Sequence, residues 1–261
     1  MNNPKLRSTH PSEYQEISQP IGAMSKHFAD GYLIPDHHHR RDQLLYAVSG
    51  IMRLRTENGA WLVPPVGAVY IPAGIKHSVS MHGDVDMRTL YIDPKITGMG
   101  ARIIDNLKIV SVSDLLRELI LALCNEPVQY EADSRGFQIA QMIEQEILIA
   151  PELFFHVLLP RDKRLQMLCA KLLADPSDRK TLTAWSNLVG ASARTLSRLF
   201  ERELGMSFIQ WRQRVRFHKS LEALSSGEPI SKIAFDCGYN SASAFTAAFS
   251  KLMGTPPSKF L

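Results

Sequence analysis

Two stretches in the second half of the chain repeat one order of apolar, small and polar positions. The first runs through Leu182, Trp185, Leu188, Gly190, Ser192, Leu196, Leu199, Phe200 and Gly205, the second through Ile230, Ile233, Asp236, Gly238, Ser241, Phe245, Phe249 and Gly254. Equivalent positions lie 48 residues apart before the turn and 49 after it, so the second turn holds one extra residue. Each copy predicts a short helix ended by a glycine able to take the left-handed backbone, then a serine capping a second helix. Behind the caps, Leu196, Leu199 and Phe200, and Phe245, Phe249 and Leu252, form apolar faces; Arg194, Ser197 and Arg198, and Ser243 and Thr246, lie opposite. Two helices joined by a tight glycine turn are how a helix-turn-helix presents its second helix to a major groove. A helical bundle with two similar hairpins is the structural alternative. Duplication, cap and basic face together favour the DNA reader.

Around these copies, Lys163 to Ala174 predicts a helix that stops near Asp175 and Pro176, since proline disfavours helix before it. Thr181 caps the next helix. Phe208 to Ser225 predicts a long connector with Ile209, Val215, Leu221 and Leu224 inward and Arg212, Arg214, Arg216 and Lys219 outward, closed by Gly227 and Pro229.

The first hundred residues have a different rhythm. Short β-forming runs, Leu44 to Val48, Met52 to Leu54, Trp61 to Val63, Ala68 to Ile71, His77 to Ser80 and Met87 to Tyr91, alternate with turn residues. Those turns fall at Ser49-Gly50, Glu57-Asn58-Gly59, Pro64-Pro65, Pro72-Ala73-Gly74 and His82-Gly83-Asp84, which predicts an antiparallel sandwich or barrel. Asp105 to Cys124 then reads as helical through Leu107, Val110, Leu115, Leu116, Leu119, Ile120 and Leu123, with Ser113 as a cap. A second helical run carries Phe137, Ile139, Met142, Ile143, Ile147 and Leu148. These faces either complete the core or leave a remainder for a twofold interface. Pro151, Pro160 and Arg161-Asp162-Lys163 mark a linker that Phe154, Phe155 and Leu158 could dock.

Composition sharpens this division. At 261 residues there is room for two cores, and the net charge of +4 is unevenly spread. From Arg161 onward Lys and Arg outnumber Asp and Glu 16 to 8, leaving 14 against 18 before it, so the polyanion partner belongs to the C-terminal half. Cys124, Cys169 and Cys237 lack metal-ligand spacing and read as reduced, buried thiols. With Pro4, Pro11 and Pro20 and no apolar run, the N-terminus reads as neither signal peptide nor membrane anchor, which points to a cytoplasmic protein.

Within the β region, Gly31, His37, His39, Gln43 and Gly50, followed by Pro72, Gly74 and His77, resemble the two motifs of the cupins, with Val66 where the second motif's leading glycine would fall. The resemblance implies a divalent metal on His37, His39, Gln43 and His77, normally with glutamate at the third position. Glutamine there removes the one anionic ligand, which weakens divalent binding, so no cofactor is expected. The favoured use is an effector pocket at a barrel mouth, lined by His37, His39, Gln43, Tyr46, Trp61, Tyr70 and His77. Residues 161–261 resemble the DNA-binding domain of AraC-type bacterial regulators, most densely at Ile233-Ala234, Cys237-Gly238-Tyr239, Ser241, Phe245, Ala248-Phe249, Gly254, Pro256 and Pro257. That resemblance implies two units reading successive major-groove faces roughly 34 Å apart. Carried over, base contacts in the first unit come from Arg194, Ser197 and Arg198, with Thr195 also at the DNA, while the second unit, with Ser243 and Thr246, contributes phosphate contacts and methyl contact with thymine. Ser192, Ser241, Arg212 and Lys219 would meet phosphate.

The expected architecture is α+β: a cupin-like antiparallel barrel with flanking helices over residues 1–100, a helical dimerisation and linker region over 101–160, and an all-α domain of two helix-turn-helix units over 161–261. The expected protein is a transcription regulator and not an enzyme, a homodimer away from membranes, whose partners are double-stranded DNA and a small-molecule effector. A cupin-type metalloenzyme or a metal sensor joined to a DNA-binding domain is the alternative.

Overall fold

The computed structural model describes residues 8–97, 107–153, 156–253 and 255–259. Phe154, Phe155, Gly254 and Asp105, singled out above, fall outside them. The chain divides into two compact units, residues 1–57 with 61–154, and residues 155–261 with 58–60.

The first unit is built on an antiparallel sheet of β1 (Ile21–Phe28), β2 (Leu33–His37), β3 (Asp42–Thr56), β4 (Gly59–Val63), β5 (Gly67–Ile71), β6 (His77–Ile92), β7 (Lys108–Ser111) and β8 (Glu152–Leu153). Its strand order is β1-β6-β3-β5-β7-β8, with β2 also on β6 and β4 also on β3. A short helix, α1 (Pro94–Thr97), follows β6, and α2 (Asp114–Leu123) and α3 (Arg135–Ile149) cover one face of the sheet. Strand alternation sorts the side chains. Ile21, Ala23, Leu44, Tyr46, Leu90 and Ile92 pack under the helices with Leu116, Ile120, Ile139 and Ile143. Met24, Phe28, Gln43, Leu45, Met87 and Tyr91 line a cavity instead.

Four strands predicted as separate pairs are two long ones. β3 runs unbroken through Ser49-Gly50 and β6 through His82-Gly83-Asp84, and their shared register shifts between Ala47 and Ile51. Gly50 and Gly83 have φ of 75° and 71°, the conformation of a bulge here. A Cβ on Gly50 would meet the Asp84 carbonyl oxygen at 2.6 Å, so glycine bends the strand and admits its neighbour. The pattern also missed β1, whose Gly22, Ala23 and Ser25 are weak β-formers, and β2, which is largely exposed and contains Pro35. Lys108–Ser111 is strand rather than the start of a helix, because it pairs with β5 and β8. The helix begins at Asp114, where the Leu116 amide donates to Ser113 Oγ at 3.0 Å. Leu115 and Met142 are exposed, and Ile149 on α3 is 74% exposed.

The second unit holds β9 (His156–Leu158) and helices α4 (Lys163–Ala174), α5 (Leu182–Val189), α6 (Ala193–Leu204), α7 (Phe208–Ser225), α8 (Ile230–Asp236) and α9 (Ala242–Met253). Thr181, Ser192 and Ser207 cap α5, α6 and α7, while Gly190 and Gly205 end α5 and α6 in the left-handed region. One core gathers Trp185, Leu196, Phe200, Leu204 and Trp211. In the other copy, Phe249 packs against Phe217 and Phe245. Two apolar positions depart from expectation. Ile209 is 59% exposed because Phe208, Trp211 and Val215 take the buried side of α7, and Leu252 at the end of α9 is 53% exposed. All three cysteines are buried and unbridged.

Candidate DNA interface and effector cavity

On α6 the apolar positions Leu196, Leu199, Phe200 and Leu204 turn inward, which fixes the opposite face by helical period. Arg194 and Arg198, one turn apart, are exposed, and Thr195 and Ser197 are half-buried between them. Ser192 Oγ accepts the Thr195 amide at 3.1 Å and lies 2.9 Å from the Thr195 hydroxyl, so both polar groups serve the helix N-terminus. On α9, Ser241 Oγ accepts the Ala244 amide at 3.1 Å. Its outward face carries exposed Ser243, Ala244 and Ala247, with Thr246 half-buried and no long polar side chain among them.

The cations expected along the outside of α7 have divided. Lys219 is exposed. Arg212 donates to the Lys180 carbonyl at 3.1 Å and lies over the Phe208 ring, 5.0 Å from its centroid. Arg216 donates to the Pro176 carbonyl at 3.0 Å, and Arg214 Nη1 stands 2.8 Å from His156 Nε2. The Pro176 and Asp178 carbonyls accept from Arg216 and the His156 imidazole from Arg214, so these two arginines turn inward and brace the unit. Two cations that sequence reasoning passed over flank the reading helix. Arg164 from α4 and Arg202 from α6 line a depression with Thr195 and Arg198. Arg202 was readable as the next turn after Arg198, whereas Arg164 arrives only through the packing of α4.

In the first unit the cavity measures about 690 Å³. The end of β2, the loop after it and the start of β6 bring the expected histidines together: ring centroids lie 4.8 Å apart for His37 and His39, 4.3 Å for His37 and His77, and 5.6 Å for His39 and His77. Each offers a nitrogen within 4.8 Å of the others. His37 Nδ1 is 2.7 Å from the Pro35 carbonyl and His77 Nδ1 2.8 Å from the Ile75 carbonyl. A carbonyl only accepts, so both Nδ1 atoms carry protons, which in a neutral ring leaves Nε2 as the lone-pair nitrogen. His39 Nε2, His77 Nε2 and Gln43 Oε1 are buried with no hydrogen-bond partner among the described residues. Burial, then the neighbouring His37, His77 and His38, draws the His39 pKa down to about 3; burial does the same to His77, to about 4, against the opposing Ile75 hydrogen bond. Both rings are therefore neutral at physiological pH.

His37, His39 and Gln43 line the cavity, with His77 packed against the first two. Tyr46, Trp61 and Tyr70 do not line it. Tyr46 and Tyr70 lie on the helix-covered face of the sheet, one residue out of phase with Gln43 and Leu45, and the Tyr70 hydroxyl donates to Asp42. Trp61 is buried on β4. The walls are instead Met24, Phe28, Tyr32, Leu45, Met87 and Tyr91. Residues 9–16 border the mouth, held by Arg41, which donates to the Gln15, Ile17 and Gln19 carbonyls, and by the exposed Arg40–Glu16 pair.

The three imidazoles fit a divalent ion: two have tautomers set by backbone carbonyls, and two of their Nε2 atoms are buried and unanswered. Gln43, with its unanswered Oε1, offers a weaker fourth ligand than a carboxylate.

Comparison with known proteins accords with both halves. Residues 185–261 match a helix-turn-helix domain family and residues 26–93 a cupin domain family. The chain is 30% identical over 227 residues to the HTH-type transcriptional regulator NimR of Escherichia coli, covering 87% of this chain and 82% of that one. It is 23% identical to the probable transcriptional regulator LumQ of Photobacterium leiognathi, over 86% of this chain and 90% of that one. Among solved structures, ToxT of Vibrio cholerae is similar at 13% identity and a TM-score of 0.39, over 93% and 98% of the two chains. None of the described helices is long and apolar enough to cross a membrane. A duplicated helix-turn-helix behind a cupin domain, together with this kinship to NimR, makes the chain a member of the AraC-type family of DNA-binding transcription regulators.

Proposed function

We propose that α6 reads operator bases through Arg194 and Arg198, and that the cavity beside His37, His39 and Gln43 holds the small molecule that governs this reading. The observation that carries the first part is the outward pair of arginines above a fully buried apolar face. Arginine pairs bidentately with guanine in the major groove, and Thr195 and Ser197 lie between the two. α9 offers small side chains, so its share is phosphate contact and methyl contact with thymine, from Ser241, Ser243 and Thr246. A switch needs an effector that binds the DNA-competent and incompetent states with different affinity. Helices α2 and α3, with exposed Leu115, Met142 and Ile149, serve a homodimer interface. The protein acts in the cytoplasm and without catalytic turnover. The test is a duplex enriched from a random library, competed against unrelated DNA. Arg194→Ala and Arg198→Ala should each cut the preference by roughly 1–3 kcal/mol with the helical spectrum unchanged, and an undiminished preference would refute the assignment.

A second reading, a metal sensor, is favoured by the three convergent imidazoles. His37, His39 and His77 would hold the ion through Nε2, and it would supply positive charge to a cavity otherwise floored by lone pairs. Metal analysis of the purified chain, with operator affinity measured in zinc and in chelator, separates the two readings.

A further inference from the structure

We infer that the effector is an aromatic molecule carrying a hydroxyl or amino donor, a phenol or an aromatic amine, seated with that donor toward Gln43 and the histidines. The inference rests on the effector reading above and adds the ligand's chemistry. Two of the three buried polar atoms left unanswered here are acceptors. Gln43 Oε1 can only accept, and His77 Nε2 presents a lone pair because its Nδ1 proton is given to the Ile75 carbonyl; the third is His39 Nε2. A buried acceptor without a donor costs free energy, so the ligand that gains most here brings an N–H or O–H. Toward Gln43 Oε1 and His77 Nε2 a carboxylate would add acceptors to acceptors, leaving it only the cations Lys26 and the Glu16-paired Arg40 of the cavity lining to meet. A polyol would leave its remaining hydroxyls unanswered against Met24, Phe28, Leu45 and Met87. Tyr91, in edge contact with His39, and Phe28, beneath Lys26, supply aromatic faces for a flat ring. The volume of about 690 Å³ accommodates one or two rings with short substituents.

The experiment uses the full chain in EDTA and three probes that share one body: 4-ethylphenol, 4-ethylanisole, whose oxygen has lost its proton, and 4-ethylbenzoate. Isothermal titration and thermal shift should rank 4-ethylphenol at least tenfold tighter than the anisole and tighter than the benzoate, because a site with unanswered acceptors rejects an analogue lacking the donor. In Gln43→Leu that preference should shrink to less than threefold. Should Gln43→Leu not fold, the ranking on the unaltered chain still decides. Equal binding of phenol and anisole, or preferred binding of the benzoate, overturns the inference. If such a probe also shifts operator affinity, the effector reading survives while the donor chemistry fails. Binding of none of the probes, or of the benzoate only after zinc is added, also overturns it. Preferred binding of the phenol with operator affinity unchanged upholds the cavity chemistry and removes the effector role.

Discussion

Arg216 and Gly238 fit together. The guanidinium of Arg216 donates to the Pro176 carbonyl, and a Cβ at position 238 would lie 2.6 Å from Arg216 Nη2. Gly238 also takes φ of 73°, ending α8 as its amide donates to the Phe235 carbonyl at 2.8 Å. The turn of the second helix-turn-helix thus needs glycine for its backbone and for the space the arginine occupies. Gly238→Ala should therefore destabilise the second unit by about 1–3 kcal/mol, combining left-handed strain with displacement of a half-buried guanidinium. Gly190→Ala, where nothing lies within 4 Å, carries only the backbone part and should cost less. Urea denaturation followed by helical circular dichroism checks the order; equal costs would remove the steric part.

A phosphate role can be told from a base role by salt. Arg202 is exposed one turn beyond Arg198 and shares a depression with Arg164. Arg202→Ala should lower affinity on all sequences and flatten the salt dependence by about one unit of slope. Arg198→Ala should instead cost roughly 1–3 kcal/mol on the operator alone and relax one base position. Titrations at several salt concentrations on operator and unrelated duplexes separate the two effects.

The C-terminal half was legible because its signals are local. Caps at Thr181, Ser192 and Ser241 and left-handed glycines at 190 and 238 are each written within a few residues, and they stand where their spacing placed them. The β half was legible at its motifs and opaque in its walls. His37, His39 and His77 converge as the cupin resemblance implied, yet Tyr46 and Tyr70 went to the wrong face, because an aromatic near a histidine motif says nothing of strand phase. Met24 and Phe28 were unseen because β1 gains its shape from pairing with β6 rather than from its own residues. The inward turn of Arg216 and Arg214 depends on carbonyl and imidazole partners about 40 and 58 residues away, which no helical wheel includes.

Acid should loosen the second unit through His156. Burial and then Arg214 hold its pKa down to about 4, and Arg214 can donate to Nε2 only while the ring is neutral. Unfolded, the ring titrates near 6.5, so between pH 6.5 and 4 the unfolded chain takes a proton that the folded one refuses. The contribution is present in full above 6.5 and is lost as pH falls through that window. His156→Gln removes the titration, and its stability should vary less between pH 7.5 and 5 than that of the unaltered chain. An identical pH profile for the two would count against the Arg214 contact.

Gln43→Glu tests what glutamine does at the centre of the cavity. Gln43 is buried with Oε1 unanswered and lines the cavity with His37 and His39. A carboxylate at the same place would supply an anionic ligand to the three histidines and should raise zinc affinity at least tenfold, since charge on the ligand set governs divalent affinity. Without metal the same charge would be buried with no cation against it, and the chain should melt at a lower temperature in EDTA than the unaltered protein. Opposite shifts in zinc and in chelator are the expected outcome of a thermal melt run both ways. If zinc stabilises both chains equally, position 43 does not face the histidine nitrogens, and the cavity floor is arranged differently from the geometry that brings His39, Gln43 and His77 together.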